Sequence, residues 1–334
     1  MFIGSTGDLA QSYSMQSRNA ALKQDIQRLT LEISSGKLAD VRQAVGGNTA
    51  YINDLERSLT KLDGFGLAAR EAGQFAGGVQ TVLSQIGALG MSFRNTLLTS
   101  SNSALGETST RILSEANETF TSVVNAMNTS VGGRTILGGT ATDSAPLAPP
   151  ADILAALTTA VTGAGSVDDI LAAADSWFND PAGFSSIGYQ GSTSSLAPIA
   201  LSDDDNATFD LRADDPVFRD TLRNLAVVAI ASDPGLGLTQ TQQNELFQKV
   251  TDPILGAEEG LIQLQAKVGF SESRIEAIKV RQESERASLE LARSDLLSAD
   301  PFQTATELEQ VQFQLQSLYA ITSRMSQLSL VNYL

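Results

Sequence analysis

The chain has 334 residues, 42% of them hydrophobic and only 6% aromatic, and its net charge is −16. It contains neither cysteine nor histidine, which excludes thiol and imidazole nucleophiles, Ser-His-Asp triads, disulfides and the common zinc sites. An acidic chain is a poor partner for nucleic acid, and its longest apolar run, residues 225–231, is far too short to span a bilayer.

The first residues, MFIGSTGDLAQSYSMQS, show no basic n-region followed by an apolar core, so export without a cleavable signal is the expectation. Helix follows. Met15, Leu22 and Leu29 repeat every seven residues, with Ile26 and Ile33 four beyond the last two, an a/d-type seam. Asp8, Asp25 and Glu32 balance Arg18, Lys23 and Arg28. Ser34-Ser35-Gly36 ends this helix, with Gly36 placed as its C′ residue.

The pattern resumes at Val41, Val45, Ile52, Leu55, Leu59 and Leu62. A break is expected at Gly64 and Gly66, and then a helix carrying Val79, Val82, Ile86, Leu89, Phe93 and Leu97. A bend over residues 100–106 leads to another helix through Leu113, Ala116, Phe120, Val123, Met127 and Val131. Residues 131–139, VGGRTILGG, read as a short strand between glycine turns, and Pro146, Pro149 and Pro150 open a separate unit.

That unit, 145–220, is acidic. Residues 140–220 hold thirteen Asp against Arg212 and Arg219 alone, which suits a solvated, outward-facing domain. Helices are expected over 151–162 and 167–178, and extended segments over 187–190, 198–202 and 207–211. Lone Trp177 reads as core. Asp215-Pro216 signals a helix start, and helix returns over 222–231 and again from Leu261 towards Leu296. Asp300-Pro301 starts a last helix carrying Leu308, Val311, Leu315, Leu318, Met325 and Leu328.

Catalytic constellations are weak throughout, and the expectation is no enzyme, no cofactor, no metal site and no membrane contact. The run Asp203-Asp204-Asp205-Asn206 lacks the glycine and distal glutamate of a calcium loop, so a solvated acidic loop is favoured. Ser34-Ser35-Gly36-Lys37 lacks the glycine spacing of a phosphate loop. Three glycosylation sequons, at Asn117, Asn128 and Asn206, decide nothing. Arg134, between the glycines, is open to two readings, a turn feature or an inter-subunit contact.

The segment LKQDIQRLTLEISSGK, residues 22–37, resembles the N-terminal region of the flagellin superfamily. GGRTILGGTATDSAP, residues 132–146, and residues 300–334, ending SLVNYL, are similar to that family's outer-domain approach and terminal helix. The opening lacks the Ile-Asn-Thr-Asn of flagellins, and only Asp40 stands where a paired-Asp segment is common. The ending is nearer to the hook–filament junction branch, and the filament subunit, flagellin, is the alternative.

The resemblance implies a mainly α fold: an elongated rod of long antiparallel helices with terminal coiled-coil helices and a small mixed α/β outer domain inserted mid-chain. Residues 1–40 and 298–334 would form the inner-tube coiled-coil domain, 41–144 and 221–297 the helical rod, and 145–220 the acidic outer domain. Assembly would run through the two terminal seams, Met15, Leu22, Ile26, Leu29 and Ile33 with Leu308, Val311, Leu315, Leu318, Met325 and Leu328. It implies a homo-oligomeric ring at the bacterial flagellum, outside the cell. A hook-associated protein would lie on the hook side, flagellin on the filament side, and a cytoplasmic export chaperone would precede type III export.

Overall fold

Alternating three- and four-residue apolar steps dominate the sequence, and helix dominates the computed structural model, which describes residues 4–41, 49–100 and 106–331. In chain order the helices are α1 (Gly4–Ser35), α2 (Ala50–Ser100), α3 (Gly106–Met127), α4 (Pro150–Val161), α5 (Val167–Asn179), α6 (Phe184–Ile187), α7 (Pro216–Ile230), α8 (Gln240–Leu297) and α9 (Pro301–Val331). Four two-residue strands, β1 (Ser130–Val131), β2 (Arg134–Thr135), β3 (Ile199–Ala200) and β4 (Asn206–Ala207), make two antiparallel pairs.

The chain forms two compact units. One comprises residues 1–62 and 283–334, the other residues 63–282, and α2 and α8 contribute to both. In the first unit α1 packs against α9. The second holds one hydrophobic core, in which Phe93 of α2, Phe120 of α3, Phe178 of α5 and Phe218 of α7 are all fully buried.

Helix α2 passes through Gly64 and Gly66 without the break expected there. Each interior glycine costs about 1 kcal/mol relative to alanine. The buried Leu55, Leu59, Ala69 and Ala72 on either side outweigh that penalty. In the second unit α2 and α8 run antiparallel: Arg94 Nε donates to both carboxylate oxygens of Glu258, at 3.2 and 3.1 Å, and Gln80 Nε2 donates to the Gln265 carbonyl at 3.3 Å. The bend expected at 100–106 falls largely on residues 101–105, outside the described residues.

Val131 leaves the helix it was expected to extend. It pairs with Arg134 in a hairpin whose two-residue turn, Gly132-Gly133, has φ of +60° and +80°. Both values lie where only glycine is unstrained, and such turns match the twist of paired strands.

The acidic stretch 145–220 shares the second unit's core. Helices α4 and α5 pack on each other and on α7, and α7 packs along α3. Trp177, at 9% exposure, meets Phe178 edge-on at 4.9 Å, and Phe178 stacks on Phe184 at 5.0 Å. Burying Phe184 draws residues 184–187 into a helical turn where an extended segment was expected from Ile187. Asp215 precedes α7 as expected, but its carboxylate accepts the Arg212 backbone N–H at 2.9 Å instead of capping the helix.

Candidate assembly surfaces of the terminal helices

The seven-residue repeat predicts that Leu22 and Leu29 share one line along α1. Both are buried, at 8% and 1% exposure, while Met15 and Ile26 are half-buried. Leu308, Val311, Leu315, Leu318 and Met325 of α9 are half-buried as well. The side chain of Leu328 lies outside the described residues.

Polar contacts fix the register as antiparallel. Gln11 Nε2 lies 3.9 Å from Met325 Sδ, and Thr322 Oγ1 lies 3.8 Å from Met15 Sδ. Asn19 and Lys23 hydrogen-bond the Tyr319 hydroxyl oxygen and lower its pKa, Asn19 contributing most. The sequence-read seam is therefore occupied within one chain, α1 against α9. Ile33 is the departure. It is 41% exposed, and the buried side chain of that turn is Glu32, at 3%.

Glu32 organises the end of α1. Its carboxylate accepts the Ala39 backbone N–H at 3.0 Å and the Arg28 guanidinium at 3.2 and 3.4 Å. Gly36 at φ +68° closes the helix by donating to the Glu32 carbonyl at 2.8 Å, as a left-handed C′ glycine does. The chain then pairs with the α8–α9 turn: Leu38 N–H donates to the Leu297 carbonyl at 2.9 Å, and Ala299 N–H to the Gly36 carbonyl at 3.0 Å. The Ser-Ser-Gly-Lys run is thus a helix stop held to the other terminus. Asp300 caps α9, accepting the backbone N–H groups of Phe302 and Gln303 at 2.9 and 3.2 Å.

Sequence reading counted Glu32 only in a charge balance. The i,i+4 spacing of Arg28 and Glu32 was its one available signal. The reading also passed over the large side chains outside the seam. Tyr13 and Leu31 on α1, and Phe302, Phe313 and Ile321 on α9, are all exposed, from 51% to 84%.

In the second unit Asp205 is committed to cations of its own chain. It accepts from Arg274 Nη2 at 3.0 Å, from Arg281 Nη2, and from Ser202 Oγ at 3.2 Å. The two arginines, Arg274 first, hold its carboxyl below the usual carboxylate range. Among the described residues no group of three or more metal-ligating side chains forms, and no helix is long and apolar enough to cross a membrane. Asn128 of the middle sequon both donates to the Leu147 carbonyl at 3.1 Å and accepts its N–H at 2.8 Å. Arg134 stands exposed at the hairpin.

Residues 252–334 match the bacterial flagellin C-terminal helical region. That span holds the later part of α8 and all of α9, so the capped Asp300-Pro301 start and the α9 side of the seam lie inside it. No curated protein matches the chain. Among solved structures the fold is similar to a putative flagellar hook-associated protein from Vibrio parahaemolyticus. The TM-score is 0.50 at 12% identity, covering 74% of this chain and 96% of that one. Residues 252–334 are thus flagellin-like, and the fold is similar to that of a putative flagellar hook-associated protein.

Proposed function

We propose that this flagellin-like chain is a subunit of the hook–filament junction of the bacterial flagellum. The observation that carries the reading is the paired termini: a flagellin-type C-terminal helix, capped at Asp300, lies antiparallel on an N-terminal helix of matching seam. Most of a helix's stability in a protein comes from packing an amphipathic face. Joined termini make a unit that copies can share. In this reading the subunits form a homo-oligomeric ring, with a hook-associated protein on one side and flagellin on the other. The chain reaches the cell exterior through the flagellar type III apparatus, escorted by a cytoplasmic chaperone. Residues 145–220 form the outer part of the subunit, where their many aspartates stay solvated.

The fold similarity to a putative flagellar hook-associated protein supports the junction reading. Flagellin itself is the second reading, favoured by the match of residues 252–334. Mass spectrometry of hook–basal bodies from a strain lacking flagellin separates the two. A junction subunit remains in that preparation in tens of copies. Absence of the chain there, with thousands of copies in intact filaments, makes it a filament subunit instead.

A further inference from the structure

Two of the five methionines face a hydrogen-bond donor across the terminal helix pair. Gln11 Nε2 of α1 lies 3.9 Å from Met325 Sδ of α9, and Thr322 Oγ1 of α9 lies 3.8 Å from Met15 Sδ of α1. Gln11 and Met15 stand one turn apart on α1, and Thr322 and Met325 one turn apart on α9. Each helix thus offers the other one sulfur and one donor. A thioether sulfur is a weak acceptor, so both donors gain little from it.

The two contacts are not equivalent. The Thr322 hydroxyl has one hydrogen, which it donates to the Leu318 carbonyl at 2.7 Å. The Gln11 amide has two, and among the described residues its Nε2 meets only the Met325 sulfur. Gln11 is exposed and Met325 half-buried, so the pair is within reach of solvent. With no cysteine in the chain, methionine is the sulfur left for an oxidant to attack.

We propose that Met325 is an oxidation site whose product the helix pair holds in place. The oxidant is a hydroperoxide. The Met325 sulfur lone pair attacks one peroxide oxygen, and an S–O bond forms as the O–O bond breaks. The departing hydroxide takes the proton left on the transferred oxygen and leaves as water. Sulfur gives up two electrons and the peroxide gains them. The methionine side chain is unbranched, with three rotatable bonds, so the new oxygen can turn to the amide 3.9 Å from the sulfur. An S–O bond in that direction brings the acceptor into the ordinary range of about 2.7–3.2 Å. Oxidation at an apolar interface disrupts packing, because a polar group replaces an apolar one. Here it puts a stronger acceptor opposite a donor already in place. At Met15 the facing hydroxyl is already engaged, so a sulfoxide there has no such partner. The inference concerns contacts within one chain and stands apart from the flagellar reading.

A full-length Met15→Leu background isolates Met325, since leucine keeps the apolar volume and Thr322 keeps its bond to Leu318. Dilute hydrogen peroxide is the probe, and mass spectrometry of proteolytic peptides reads the rate at each methionine. Met91, 50% exposed, and the fully buried Met127 bracket the scale. Met325 is expected to fall between them and to oxidise at least fivefold faster than Met127. Hydrogen exchange over residues 4–20 then reads the pair, oxidised against unoxidised. In the background protein oxidation is expected to change that exchange by less than twofold. With Gln11→Leu added, oxidation is expected to speed it at least fivefold, about the factor one net hydrogen bond supplies. The inference is overturned if Met325 oxidises no faster than Met127, or if oxidation speeds exchange beyond twofold with Gln11 in place. It is equally overturned if the oxidised Gln11→Leu protein stays within twofold of its unoxidised form.

Discussion

Glu32 accepts the backbone N–H of Ala39 at 3.0 Å from a position only 3% exposed to solvent. The carboxylate closes the end of α1 seven residues ahead of itself and, with Arg28 at 3.2 Å, stays paired while buried. Removing it takes the side-chain acceptor from the Ala39 N–H and leaves the Arg28 guanidinium only Asp25, at 3.5 Å; losing hydrogen bonds to a charged group costs about 1.5–3 kcal/mol. Glu32→Ala is therefore expected to lower stability by about 2 kcal/mol in urea unfolding, and Glu32→Gln, which keeps one acceptor oxygen, by less. Hydrogen exchange at Gly36–Ala39 reads the same loss locally. Equal protection in Glu32→Ala and parent would remove this role.

Asp205 ties the β3–β4 loop to α8 through Arg274 and Arg281. Gln282 adds a hydrogen bond from its amide to the Leu201 carbonyl, and Phe209 of the same segment meets Phe75 of α2 at 4.9 Å. The Asp205→Ala variant is expected to raise hydrogen exchange and protease cleavage in residues 199–211 without unfolding α8. The pH dependence follows from the depressed carboxyl pKa. The tie is fully present above the unfolded-state value of about 3.9 and is lost as pH falls through the lower folded-state value. The parent loop should thus open in acid, whereas the loop of Asp205→Ala is open at neutral pH. A loop that stays closed in the variant would contradict the tie.

Tyr189 behaves in the opposite sense. Burial, with Asp214 adding to it, pushes the phenol up to about 12, and its hydroxyl donates to the Ser192 carbonyl at 2.8 Å. A raised pKa on a phenol means that the neutral form is favoured in the fold. Its contribution is complete below the unfolded value of about 10 and declines as pH rises from there through the folded value. Parent protein should lose stability faster than Tyr189→Phe between pH 10 and 12. At neutral pH the variant should cost about 1 kcal/mol, the worth of one hydrogen bond. Parallel stability curves across that range would rule out Tyr189 as the group responsible.

The terminal helices were readable because their signals are local. Met15, Leu22 and Leu29 repeat at seven, Gly36 stops the first helix, and Asp300-Pro301 starts the last. Capping and periodicity act within one or two turns. The Asp205 ties reach 69 and 76 residues along the chain, so nothing near Asp205 announces them. It read as one of three equivalent aspartates. The burial of Glu32 is not legible locally because it depends on where residues 36–39 turn. Tyr13, Leu31, Phe302 and Phe313 fall off the seam, and exposed apolar residues are normal singly. They become a pattern only when the pairing of α1 with α9 shows which side of each helix is already taken. The misread segments, Gly64–Gly66 and Ile187, were decided by apolar burial on either side, which outweighs glycine and strand propensity.

In the proposed role the chain joins the flagellum through its terminal helix pair. Complementing a deletion strain with a chain lacking residues 301–334 tests it most directly, with filament attachment scored by electron microscopy and motility. The prediction is export of a soluble subunit that fails to hold filaments, so that cells shed flagellin into the medium and stop swimming. Cells that keep attached filaments and swim on the truncated chain would contradict it.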